Sequence, residues 1–196
     1  MNKYNPNIHH RRSIRLKGYD YSQAGAYFIT ICCKDRICRF GDVVENEMIL
    51  NEFGQIAYDE WIKTPQLRKN VELDVFVVMP NHIHGIIVLN DMGRGELHSP
   101  DNIDIIVSYD ITNENAPNQK GEYNSPLRSP SNNIGAIVRG YKSTVTKQIN
   151  LLNDCDSVWQ HNYHEHIIRN EQSYQTISNY IINNPAKWND DKFYTK

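Results

Sequence analysis

The segment VVMPNHIHGIIVL, from Val77 to Leu89, sets two histidines one residue apart inside an otherwise apolar run. Residues i and i+2 of a β-strand point to the same face, so His82 and His84 project side by side while Ile83 faces the other way. Two neutral imidazoles placed in this way suit a divalent metal ion, with a third protein group needed and open positions left for substrate oxygens. A buried apolar strand also incurs a desolvation cost for carrying two polar rings, and that cost calls for a compensating partner. The plainer alternative is a pair in which one ring is a satisfied structural hydrogen-bonder. A structural zinc site would need four ligands, and Cys32, Cys33, Cys38 and Cys155 show no CxxC spacing that could supply them.

A candidate for the third group lies in SNYIINNPAKW. Tyr180 and Asn184 are four residues apart and share one helical face. Each also has a structural reading: Tyr180 as an amphipathic residue anchored by its hydroxyl, and Asn184 as a C-terminal cap before Pro185. The stretch WQHNYHEHIIR adds His161, His164, Glu165 and His166, but its HxxHEH spacing matches no metalloprotease pattern. It reads as a structural segment packed through Trp159, Tyr163 and Ile167, with one histidine near the site.

The elements that must position these residues are legible in outline. AYFITICC (Ala26 to Cys33) reads as a buried strand, and Arg39 to Asn51 as a hairpin around Glu45 to Glu47. From Glu52 to about Lys69, Phe53, Ile56, Ala57, Trp61 and Ile62 recur at helical spacing. Leu73 to Pro80 and His82 to Asn90 form a strand pair separated by a Pro-Asn break. Residues 91–133 are dominated by Gly, Ser, Pro and Asn and read as a polar insertion, a flexible loop in which only Ile103 to Ile111 could form a strand. Asn133 to Asn150 is helical in period, with Arg139, Lys142 and Lys147 on its polar face. An extended crossing and a last helix, Glu171 to Pro185, complete the chain. This order predicts a single α+β domain, 1–196, with an antiparallel sheet and helices packed on one face.

The formal charge is −2 and the pI about 6.4, so there is no global basic signature of a nucleic-acid binder. The distribution says more than the sum. Over residues 1–18, Lys3, Arg11, Arg12, Arg15 and Lys17 occur with no acidic residue, forming a basic arm suited to lying along phosphates, although such runs are also found as solvated tails. The cysteine pattern fits reduced, cytoplasmic thiols, and no apolar run approaches the length of a membrane span.

Taken together, GAYFITICCKDR, VVMPNHIHGIIVL, GYKST, WQHNYHEHIIRNE and YIINNPAKW, in this order, resemble the single-tyrosine HUH transposases, in particular the REP-associated tyrosine transposase branch. The resemblance covers nearly the whole chain outside the polar insertion. It implies a ferredoxin-like, RRM-like α+β fold with the histidine-hydrophobic-histidine pair, His82 and His84, on a central strand. It further implies that Tyr180, in the pattern Y-x-x-x-N-P, is the catalytic nucleophile and that Asn184 is the third polar ligand of a Mg²⁺ or Mn²⁺ ion. Tyr163 and Tyr174 lack that setting.

The activity implied is cleavage and rejoining of single-stranded DNA through a 5′-phosphotyrosine, near hairpin or repeat elements. Arg11, Arg12, Arg15, Arg139 and Lys142 are the candidate DNA contacts, alongside stacking tyrosines. Two rivals stand beside this reading: a non-catalytic nucleic-acid-binding module on the same fold, and a replication or relaxase-type nickase sharing the histidine pair. The sequence leaves open whether the protein works as a homodimer and whether Tyr180 serves the histidines of its own chain.

Overall fold

The apolar runs become strands and the periodic segments helices, with Asn residues marking where the helices begin. The computed structural model describes residues 16, 18–91, 132–153 and 157–194. The elements are β1 (Gly25–Cys32), β2 (Gly41–Val44), β3 (Glu47–Leu50), α1 (Glu52–Ile62), α2 (Thr64–Leu67), β4 (Val71–Met79), β5 (His82–Leu89), α3 (Ile134–Leu152), β6 (His164–Ile168) and α4 (Glu171–Ile182). A 3₁₀ turn, Pro185–Asp190, follows α4. The helix read over residues 52–69 is split into α1 and α2, because Pro65 opens a new short helix. The Asn51, Asn133 and Asn170 side chains each accept the first-turn amide of α1, α3 and α4, from Gly54, Ala136 and Ser173 respectively. Part of the Asn content is therefore spent on N-caps.

Four strands form an antiparallel sheet in the order β4-β5-β1-β6. With α1 between β1 and β4 and α3 between β5 and β6, this is the βαββαβ ferredoxin-like arrangement expected from the sequence. β2 and β3 form a separate hairpin whose turn residues, Glu45 and Asn46, both adopt positive φ of 52° and 67°.

The sheet divides its side chains by parity. Tyr27, Ile29 and Ile31 of β1 and Ile83, Ile87 and Leu89 of β5 enter the main core with Ala57 and Trp61 of α1 and Ile137, Val138, Tyr141 and Val145 of α3. Burying each such large side chain stabilises the fold by about 1.5–3 kcal/mol. The two faces are thus covered differently. Helices α1 and α3 share one face, as expected, whereas α4 lies over the other, where Tyr180 meets Phe28 and His84. Tyr174 on α4 donates to Asp74 on β4 and ties that helix down. Behind it Trp188 and Phe193 form a smaller apolar cluster with Cys32 and Met79. Among the described residues no helix is long and apolar enough to cross a membrane. Among the described residues Cys32, Cys33 and Cys38 form no disulfide.

Candidate active site

His82 and His84 open β5, one of the two central strands, and pair across β1 with Cys32 and Thr30. Their rings lie 4.4 Å apart by centroid, and both are buried, at 0% and 1% exposure. Each Nδ1 has a partner: His84 Nδ1 lies 2.8 Å from Thr30 Oγ1, and His82 Nδ1 lies 2.9 Å from Asn81 Oδ1. The Nε2 atoms face the site. His84 Nε2 is 3.1 Å from the Tyr180 hydroxyl, whereas His82 Nε2 is buried without a hydrogen-bond partner.

Helix α4 and the turn after it deliver the remaining groups. The Tyr180 hydroxyl also lies 3.1 Å from Asp191 Oδ2, to which Asn184 Nδ2 donates at 2.9 Å. The other Asp191 oxygen accepts from the Phe193 amide at 2.6 Å. Asn184 is 1% exposed, and its Oδ1, like His82 Nε2, is buried without a partner. Tyr180, in contrast, is 38% exposed.

Burial dominates the electrostatics. It lowers the His82 pKa to about 4, with Asp191 and Asn184 opposing the shift and Lys192 and Arg36 reinforcing it. Burial, aided by the neighbouring His82, holds His84 well below the ordinary imidazole value. Both rings are therefore neutral near pH 7 and offer lone pairs. Burial and the charge of Asp191 raise the Tyr180 phenol above its ordinary value.

The donor set fits a divalent metal ion. One ligand atom each from His82, His84 and Asp191 lies within 4.8 Å of the others, the one such group among the described residues. The two orphaned atoms, His82 Nε2 and Asn184 Oδ1, are those that a cation would satisfy. Sequence reasoning brought His82, His84, Tyr180 and Asn184 together but missed Asp191, since nothing in NDDK distinguishes it from Asp190 beside it. It also read Asn81 as no more than a turn residue.

The basic candidates are distributed differently. Arg11, Arg12 and Arg15 lie outside the described residues. Arg139 is exposed on α3, which covers the sheet face opposite the histidines. The Lys142 ammonium donates to the carbonyls of Gln160 and Asn162 at 2.8 and 3.0 Å, and burial lowers its pKa to about 8. It braces the crossing that leads into β6. His164 and His166 are exposed on β6, opposite Thr30 and Phe28, and so share the site's face of the sheet.

Fold and site together define a ferredoxin-like α+β domain in which a buried histidine pair on a central strand faces a tyrosine, an asparagine and an aspartate on a covering helix and its following turn. The chain is similar to a solved REP-associated tyrosine transposase bound to a REP hairpin, with a TM-score of 0.51 and 19% identity over 98% of this chain and 77% of that one. It is also 42% identical, over 192 residues, to an uncharacterised protein of Haemophilus influenzae, covering 98% of this chain and 97% of that protein. The chain belongs to the same family as that Haemophilus influenzae protein. No family model matches the chain.

Proposed function

We propose that the chain is a metal-dependent transposase that cuts and rejoins single-stranded DNA through a 5′-phosphotyrosine on Tyr180. The observation that carries this reading is the meeting of the Tyr180 hydroxyl with His84 Nε2 at 3.1 Å, beside an unpartnered His82 Nε2. In this arrangement the tyrosine reaches the histidines of its own chain.

His82 and His84, with Asp191 and the Asn184 carbonyl oxygen, would hold Mg²⁺ or Mn²⁺. When bound, such an ion neutralises charge on a phosphate oxygen. Asp191 orients the phenol and accepts its hydrogen bond, and Tyr180 is itself partly exposed. That oxygen attacks phosphorus, a P–O bond to tyrosine forms, the bond to the 3′-oxygen breaks, and a 3′-hydroxyl is freed once that oxygen takes a proton. A phenol has an ordinary pKa of about 10, well below that of an alcohol, so the linkage stays reactive to a returning 3′-hydroxyl without ATP. The similar fold bound to a REP hairpin supports a hairpin-bearing strand as the substrate.

The test uses labelled single-stranded DNA carrying the hairpin flanks of the protein's own gene, with Mg²⁺ or Mn²⁺, on a denaturing gel. A metal-dependent covalent band is expected, lost in Tyr180→Phe and His82→Ala. Tight binding with no adduct on any flanking strand would replace this reading with a non-catalytic binding module.

A further inference from the structure

Asn81 stands in the two-residue turn between β4 and β5, a place where Asn is usually explained by its tolerance of positive φ. Here that explanation fails, because Asn81 is not among the residues with positive φ, and the residue is 1% exposed. Its side chain is committed inward. The amide nitrogen donates to the carbonyl oxygens of Phe193 at 2.8 Å and Arg36 at 3.1 Å. Carbonyls only accept, so these two bonds fix which end of the amide is nitrogen, and Oδ1 is left facing His82 Nδ1 at 2.9 Å. An amide oxygen only accepts as well. His82 Nδ1 must therefore carry the hydrogen, and in a neutral ring Nε2 then bears the lone pair.

We propose that Asn81 is a positioning residue of the metal site: it presets His82 Nε2 as a ligand nitrogen and clamps to the same turn the segment that carries Asp191. The clamp runs through one residue, since Phe193 gives its carbonyl to Asn81 and its amide to Asp191. His84 is treated differently. Its Nδ1 partner is the Thr30 hydroxyl, which can donate or accept and so permits either tautomer. One ligand is thus fixed in advance, while the hydrogen bond to Thr30 leaves the other able to take either tautomer.

This inference rests on the metal-site reading of the histidine pair, but its test does not depend on cleavage. Long-range ¹H–¹⁵N imidazole spectra of metal-free, DNA-free protein at pH 8 should show His82 as the Nδ1–H tautomer. Asn81→Asp, which keeps an acceptor oxygen and loses the donors, should retain that signature, whereas Asn81→Ala should give a mixture of tautomers. Mn²⁺ affinity, titrated calorimetrically without DNA, should fall about 10-fold to 100-fold in Asn81→Ala. An Nε2–H signal for His82 in the unaltered protein overturns the proposal without recourse to a variant. So does an Asn81→Ala protein that keeps the pure Nδ1–H tautomer. Failure of the unaltered protein to bind Mn²⁺ overturns the metal reading and with it the role of Asn81, whereas Mn²⁺ binding with the wrong tautomer overturns the role of Asn81 alone.

Discussion

At the scale of single residues, the site keeps its two histidines neutral by burial, and that has a consequence for stability. An imidazole titrates near 6.5 in an unfolded chain, whereas His82 titrates at about 4 in the folded one. Between these values the unfolded state binds a proton that the native state refuses. The stability tied to His82 is therefore complete above about pH 6.5 and is lost progressively as pH falls towards 4, amounting to roughly 3 kcal/mol by the acid end. His84, shifted in the same direction, steepens the loss. Urea unfolding at pH 7.5 and pH 5 should show a marked drop in midpoint for the unaltered protein and a smaller one for His82→Asn; equal drops would refute the assignment. The sequence already suggested neutral rings on a buried strand, but not how completely both rings are covered. Nor did it single out Asp191, whose contact with Tyr180 is made by a turn that no periodic pattern records.

At the scale of elements, the strand that carries the histidines is held from behind by a helix. Gly85 lies between His84 and Ile86 and faces α1; a Cβ built there would approach Trp61 Cζ2 to 2.6 Å and Phe76 Cβ to 3.0 Å. The absence of a side chain lets the indole sit directly on β5. Gly85→Ala should cost about 1–3 kcal/mol, read as a lower thermal midpoint, because it overpacks a filled core. An unchanged midpoint would mean that Trp61 can move aside freely. The elements themselves were largely marked in the sequence: the apolar strand HIHGIIVL and the helical period from Phe53 to Ile62 reappear, whereas the last helix, read to Pro185, ends at Ile182, and Asn184 keeps helical dihedrals before Pro185, which opens the 3₁₀ turn. The placement of α4 was not. An amphipathic period says which side of a helix is apolar, but not which face of a sheet it will cover, and that choice is made by long-range contacts such as Tyr174 with Asp74.

At the scale of the whole molecule, a net charge of −2 leaves the DNA affinity that the proposed function requires to local patches. With Lys142 engaged by backbone carbonyls, the arm carrying Arg11, Arg12 and Arg15 becomes the leading candidate for phosphate contacts. Replacing all three with Ala should weaken single-strand binding about equally for unrelated sequences and reduce the slope of log affinity against log salt by about 2. An unchanged slope would move the contacts elsewhere. The Pro80–Asn81 turn has a consequence at this scale too. Turns are where chains usually gain and lose residues. Here the Pro80 carbonyl accepts from Arg39 and Phe40, the Asn81 carbonyl accepts from Cys33, and the Asn81 side chain is committed as well. Relatives that build this site should therefore show no change of length between Met79 and His82, and insertions and deletions should collect instead on the far side of Leu89.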